Sequence, residues 1–209
     1  MTRYLFFVFI AIVVNTVLRA QTDKYPVPEY SNEINLLKKD SNKLLRLEKG
    51  NSKLETKVKM MGFGGMNNGY ELDDEKSTVR LNDGKNLVFV LYTGGTNNTS
   101  SPQSDSMMRA NGMDPSTYAN AMSMFTDPTK NTSLYEMKSE KGKRKITLMS
   151  AGMLGKKKES TKYTLSIKKV KDGYYEILVD KSLPKGEYSF VMTSMSMDQS
   201  YALFAFGID

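Results

Sequence analysis

The chain has 209 residues, with 30 Lys and Arg against 23 Asp and Glu, and it contains no cysteine, histidine or tryptophan. That length suits one domain with a real hydrophobic core. The missing residue types exclude a disulfide framework, thiolate chemistry, the commonest general base and the usual zinc or copper(II) ligand.

The first twenty residues, "MTRYLFFVFIAIVVNTVLRA", place Arg3 before an apolar run over 4–14 and end on small Ala20. That is the layout of a secretory signal peptide. The run is shorter than the roughly 20 apolar residues of a bilayer span, although Leu18 near the presumed cut leaves an uncleaved anchor open. Cleavage would remove Arg3 and Arg19 and lower the net charge from +7 to about +5. Basic clusters lie at 141–145, 156–158 and 168–171, offset by acidic 73–75. They read as a solvated surface or as contact with an anionic surface such as lipopolysaccharide, other glycans or nucleic acid, of which nucleic acid fits least without interleaved aromatics.

Residues 21–32, with Pro26 and Pro28, read as a linker. Residues 33–71 follow as an N-terminal extension with two readings. Leu37, Leu44, Asn51 and Val58 recur at seven-residue spacing, as in a coiled-coil seam holding a membrane-anchored dimer. Against that, Ile34 and Leu36, then Leu45 and Leu47, alternate around a polar turn at 39–42, and alternation is strict over 53–60. Gly50 and two further polar breaks favour strands.

The run "GFGGMNNG" at 62–69 lacks the Lys-Ser/Thr pair of a phosphate-binding loop and reads as a glycine-rich turn. Strands are expected at 77–81 and 87–92. One helix is expected from Asp114, with Pro115 at its first position and Tyr118, Ala121, Met122 and Phe125 on one face. Strands then follow at 134–138, 145–149, 163–170, 174–179, 187–192 and 201–208, with "KDG" as a hairpin signal. Met149 and Met192 read as core. The pattern predicts a mostly β fold over 72–209, an antiparallel β-sandwich or barrel with one short helix. In the closing run, Phe204, Phe206 and Ile208 would face one way and Leu203, Ala205 and Gly207 the other, which describes a central, covered strand.

"LPKGEYSFV" resembles the stretch of fibronectin type III and immunoglobulin-like domains that carries the tyrosine corner. The resemblance implies a Greek-key β-sandwich of immunoglobulin or fibronectin type III kind, with corner roles for Leu183, Gly186 and Tyr188 only, since the buried tryptophan and cysteine pair of immunoglobulin domains have no counterpart here. A second resemblance spans residues 76–209. "EKSTVRL", "DPSTY", "LYEMKSEKGKRKI", "AGMLG", "LPKGEYSF" and the final "FAFGID" are similar to a group of uncharacterised exported bacterial proteins. Those share a charged hairpin, a "PGEY"-like corner and a terminal "FG(V/I)D" strand. The resemblance implies an exported sandwich and brings no activity with it.

Candidate chemistry is sparse. No "GxSxG" elbow exists, and Ser-x-x-Lys matches carry little information among so many lysines. Asp73, Asp74, Glu75, Asp114, Asp127 and Asp198 sit in polar turns, where capping explains them, and the oxygen-rich run at 72–75 lacks calcium-loop spacing. No catalytic residue and no cofactor is therefore expected. The fifteen methionines are the oddity. "MSM" occurs twice, and Met122, Met124, Met195 and Met197 are the candidate ligands for copper(I), a soft ion that thioethers suit. The expectation is an exported, envelope-associated binding or structural module of a Gram-negative-type bacterium, periplasmic or outer-membrane-associated or extracellular. Its partner would be an envelope protein or glycan. The alternative is a methionine-based periplasmic copper(I) binder.

Overall fold

A computed structural model describes residues 25–58, 66–94, 102–117, 127–151, 159–193 and 200–209. The first strands are β1 (Glu33–Lys38), β2 (Lys43–Arg46), β3 (Glu48–Lys53), β4 (Glu55–Val58), β5 (Met66–Asp73), β6 (Arg80–Leu81) and β7 (Val88–Tyr92). Two short helices follow, α1 (Pro102–Ala110) and α2 (Pro128–Asn131). The remaining strands are β8 (Thr132–Glu140), β9 (Lys143–Ala151), β10 (Lys162–Tyr163), β11 (Leu165–Lys171), β12 (Tyr174–Val179), β13 (Gly186–Thr193) and β14 (Ser200–Ile208).

The strands form an antiparallel sandwich. One sheet has the order β11-β12-β7-β1-β2, and the larger has β3-β14-β13-β8-β9-β5-β4, with β10 on β8 and β6 on β14. Only the two-residue β6–β14 pairing is parallel among the described residues. Local chemistry sets the turns. Lys141 and Gly142 both hold positive φ, as a two-residue hairpin turn requires, and Asp172 and Gly173 close β11 onto β12. Asn42 takes the left-handed position at the end of the β1–β2 turn.

Three apolar clusters follow from strand alternation. Between the sheets, Ile34, Leu36, Phe89 and Ile177 meet Phe190, Phe204, Phe206 and Ile208. Phe89 lies edge-on to Phe190 at 4.8 Å, and Tyr188 stacks on Phe206 at 5.6 Å. The larger sheet also curls towards a barrel. Glu71 N donates to Ser52 Oγ at 3.1 Å, joining β5 to β3, and Gly50 leaves the room that the Leu72 side chain fills. Tyr70, Leu72, Met137, Ile146, Val191, Leu203 and Ala205 fill the inside of the curl. The third cluster, Leu37, Val88, Val90 and Tyr174, lies on the outer face of the smaller sheet, where Tyr25 packs against it.

β14 lies between β13 and β3, and Leu203 through Ile208 are all buried. Its two faces divide as alternation requires: Phe204, Phe206 and Ile208 enter the inter-sheet core, while Leu203 and Ala205 enter the curl.

Several expectations change. Residues 33–58 are strands and not a coiled coil, and Asn51 pairs with Ala202. The boundary expected at 71/72 falls inside β5, and β1 and β3 belong to the two sheets of the sandwich. The continuous strand expected over 53–60 breaks at Leu54, which is exposed. Part of the expected linker packs down, with Pro28 buried. Met192 is core, but Met149 is 43% exposed, because its stretch of β9 follows an irregularity opposite Asn68 and Gly69. Asp114 caps a turn at 115–117 as expected, and the rest of that helix lies outside the described residues. α1 forms over a stretch for which no element was expected.

Phe206→Ala should cost about 3–5 kcal/mol in urea unfolding, whereas Met149→Ala should stay within about 0.5 kcal/mol.

Candidate functional site

Five segments far apart in sequence meet at one side of the larger sheet. Arg144 on β9 is 1% exposed. Its Nη2 donates to Glu48 Oε1 and to the Asp73 carbonyl, and its Nε to the Asp74 carbonyl at 3.1 Å. Glu48 Oε2 accepts from Ser77 Oγ at 2.8 Å and from Thr78 N at 2.7 Å. Ser77 N donates to Glu187 Oε2 at 2.8 Å. Glu187 Oε1 pairs with Arg80 Nη1, and Arg80 Nη2 reaches Asp209. Gly207 lies beneath that guanidinium, where a Cβ would collide with Arg80 Nη1. Burial alone would raise the Glu48 pKa, but Arg144, Thr78 and Ser77 donate to the charged form and hold it below its ordinary value. Arg80 likewise lowers that of Asp209.

This network absorbs one basic run and the acidic run, while the basic run at 156–158 lies outside the described residues and that at 168–171 is on β11. The basic run at 141–145 and the acidic run at 73–75 are one interlocked feature. Lys143 Nζ lies 3.4 Å from Glu71 and 3.6 Å from Asp73, and Gly142 N donates to Glu75 Oε1 at 2.9 Å. The corner residues serve the same end of the fold. Tyr188 OH donates to the Pro184 carbonyl at 2.8 Å, Leu183 N donates to the Gly84 carbonyl at 3.0 Å, and Gly186 opens β13 opposite Ile208. Burial pushes the Tyr188 phenol up.

Among the described residues, two concave regions bear on function. The first, about 350 Å³, runs between a proline strap at 26–30 and the β1–β2 hairpin, and includes Val27, Tyr30, Asn35, Asn42, Lys43 and Arg46 in its walls. Tyr25 and Tyr174 fix the strap: their rings lie 5.5 Å apart, Tyr25 OH donates to Glu176 Oε2 at 2.7 Å, and Tyr174 OH to the Pro26 carbonyl at 2.7 Å. The bond to Glu176, with burial and that carboxylate's charge, pushes the Tyr25 phenol up to about 12. Burial pushes Tyr174 to about 12 as well. The Arg46 guanidinium stacks 4.5 Å over the Tyr30 ring and grips Glu33 through Nε at 2.7 Å and Nη2 at 2.9 Å. Lys49 Nζ reaches the same carboxylate at 3.0 Å. Burial would raise the Glu33 pKa, but these two cations bring it below its ordinary value. The second region, about 320 Å³, lies over β4, β5 and β9 and is bordered by Asn68, Tyr70, Glu71, Lys145 and Thr147. The Asn68 Oδ1 atom is buried there without a hydrogen bond.

The structure brings Leu183, Gly186 and Tyr188 together as the corner. Asp114 and Asp127 accept from Ser116, Thr117 and Thr129 as caps. Met122, Met124, Met195, Met197 and Asp198, with residues 1–24, lie outside the described residues. Among the described residues, no group of three acidic side chains is arranged to hold a metal, and no helix is long and apolar enough to cross a membrane. The strap cleft was missed from sequence. Its signal was Pro26 and Pro28 beside two tyrosines, together with charged Glu33 opening a strand that buries Ile34 and Leu36. Comparison with family models, curated proteins and solved structures found no match.

Carboxyls that are more acidic in the folded chain bind fewer protons than their unfolded counterparts in acid. Their stabilisation is present above the ordinary glutamate value of 4.5 and is lost as pH falls through the lower folded values. The urea midpoint should therefore fall between about pH 5 and pH 3. Glu48→Gln leaves Arg144 buried against a neutral partner, so it should lose about 3–5 kcal/mol at pH 7 and show a shallower acid decline.

Proposed function

We propose that the chain is an exported, envelope-associated binding module that acts by surface contact and performs no covalent chemistry. The observation that carries this reading is the contrast between its two kinds of charged site. Buried Arg144 and Glu187, with partly buried Glu48, are committed to ion pairs that tie strands together. The strap cleft instead keeps Val27, Tyr30 and Arg46 at the surface on an anchored backbone, which is how a rigid scaffold offers recognition. Export is supported by the first twenty residues, with their single early arginine, apolar run and small terminal residue, and by a cysteine-free composition that needs no disulfide chemistry.

The mature chain from Gln21 should co-sediment with the washed envelope fraction of a Gram-negative bacterium at physiological salt, and excess unlabelled chain should compete it off. Sedimentation no greater than that of an inert protein of similar charge would defeat the reading.

A further inference from the structure

Glu33 is 3% exposed, yet it holds two cations whose side chains are 52% and 41% exposed. One cation would neutralise that carboxylate. The second leaves a surplus positive charge, fixed in place at the surface, and Lys43 adds another at the cleft wall while Glu29 removes one. Glu33 therefore acts as a positioning residue that fixes the Arg46 guanidinium at the cleft wall. Arg46 Nη1 has no acceptor among the described residues, although Nε and Nη2 are both engaged. Beside it stand Tyr30, 46% exposed, and Val27, 63% exposed, which form an apolar wall within a polar cleft. Asn42 brings an amide able both to donate and to accept, and Asn35, largely buried with its Nδ2 donating to the Glu33 carbonyl at 3.4 Å, lines the floor.

We propose that this cleft is a subsite for an acidic sugar, the carboxylate-bearing unit of an anionic glycan. The carboxylate meets Arg46 Nη1, with the Lys43 ammonium in the same cleft wall, and a guanidinium already fixed by Glu33 loses little entropy on binding. The C–H face of the sugar ring lies against the Tyr30 and Val27 wall. Its hydroxyls exchange hydrogen bonds with the Asn42 amide, which suits neighbouring donor–acceptor groups better than it suits an apolar peptide side chain. A volume of about 350 Å³ is at the small end for ligand sites and admits a short oligosaccharide end. The inference rests on the binding-module reading and names its ligand class.

The test is an NMR titration of the ¹⁵N-labelled mature chain with sodium glucuronate, and with glucose, inorganic phosphate and tri-glutamate at matched ionic strength. Glucuronate should give saturable shifts at Arg46 Nε–H and the Asn42 side-chain amide, with affinity about tenfold above that for glucose. Tyr30→Ala and Arg46→Lys should each weaken glucuronate by at least about fivefold, with backbone shifts elsewhere and the urea midpoint little changed. No saturable shift at these groups, or an equal response to phosphate or to tri-glutamate, overturns the proposal. A chain that still co-sediments with envelopes but ignores glucuronate loses this subsite alone; one that does neither loses the broader reading too.

Discussion

A guanidinium cannot shed its proton inside a protein, so Arg144, almost wholly buried on β9, needs acceptors on every side. Glu48 and the carbonyls of Asp73 and Asp74 provide them. Each requirement passes to the next group. Glu48 must be held by Ser77 and Thr78, Ser77 is held in turn by Glu187, and Glu187 is neutralised by Arg80, which Asp209 secures. The chain of contacts crosses β3, the loop before β6, β9, β13 and the end of the polypeptide. Removing one member leaves a buried charge or donor unpaired, so the segments are specified together.

That linkage accounts for the apolar run at the chain end. β14 is the wall shared by two cores, one between the sheets and one inside the curled sheet. A strand apolar on both faces is stable only when covered on both, and here the cover is β7 and its neighbours on one side and the β5–β9 layer on the other. Gly207 and Asp209 then have physical roles. The glycine gives Arg80 room to cross the strand, and the aspartate holds Arg80 in place. The "FGID" ending of this chain thus forms one half of an ion-pair clamp whose other half is the "STVR" and "GEY" stretches.

Strand positions were legible because their signal is local. Alternation at Ile34 and Leu36, the "KDG" turn and the two-faced closing run each depend on neighbours within a few residues. The tyrosine corner was legible for the same reason, its bond spanning four residues. What sequence could not supply was long-range pairing. Nothing local says that Arg144 faces Glu48, 96 positions away, or that Tyr174 meets Pro26 across 148. Met149 misled because alternation assumes an unbroken ladder, and β9 slips its register against β5 between Asn68 and Gly69. Leu54 misled because a charged alternating run continues in pattern through the point where one strand hands over to the next.

The same device occurs twice in the molecule with different outcomes. Glu48 and Glu33 are carboxylates drawn into the protein, each against arginine and each made more acidic by the donors it accepts. Around Glu48 the partner is itself buried, every remaining oxygen is taken by Ser77 and Thr78, and the network closes on itself. Around Glu33 both partners reach solvent, one stacked on an exposed tyrosine, and the positive charges outnumber the negative one they share. A closed network contributes cohesion between strands. An open one holds cations ready at a surface, and screening by water lets it add little to stability. The physical distinction between the two networks is therefore the exposure of the cation, near zero for Arg144 and about half for Arg46.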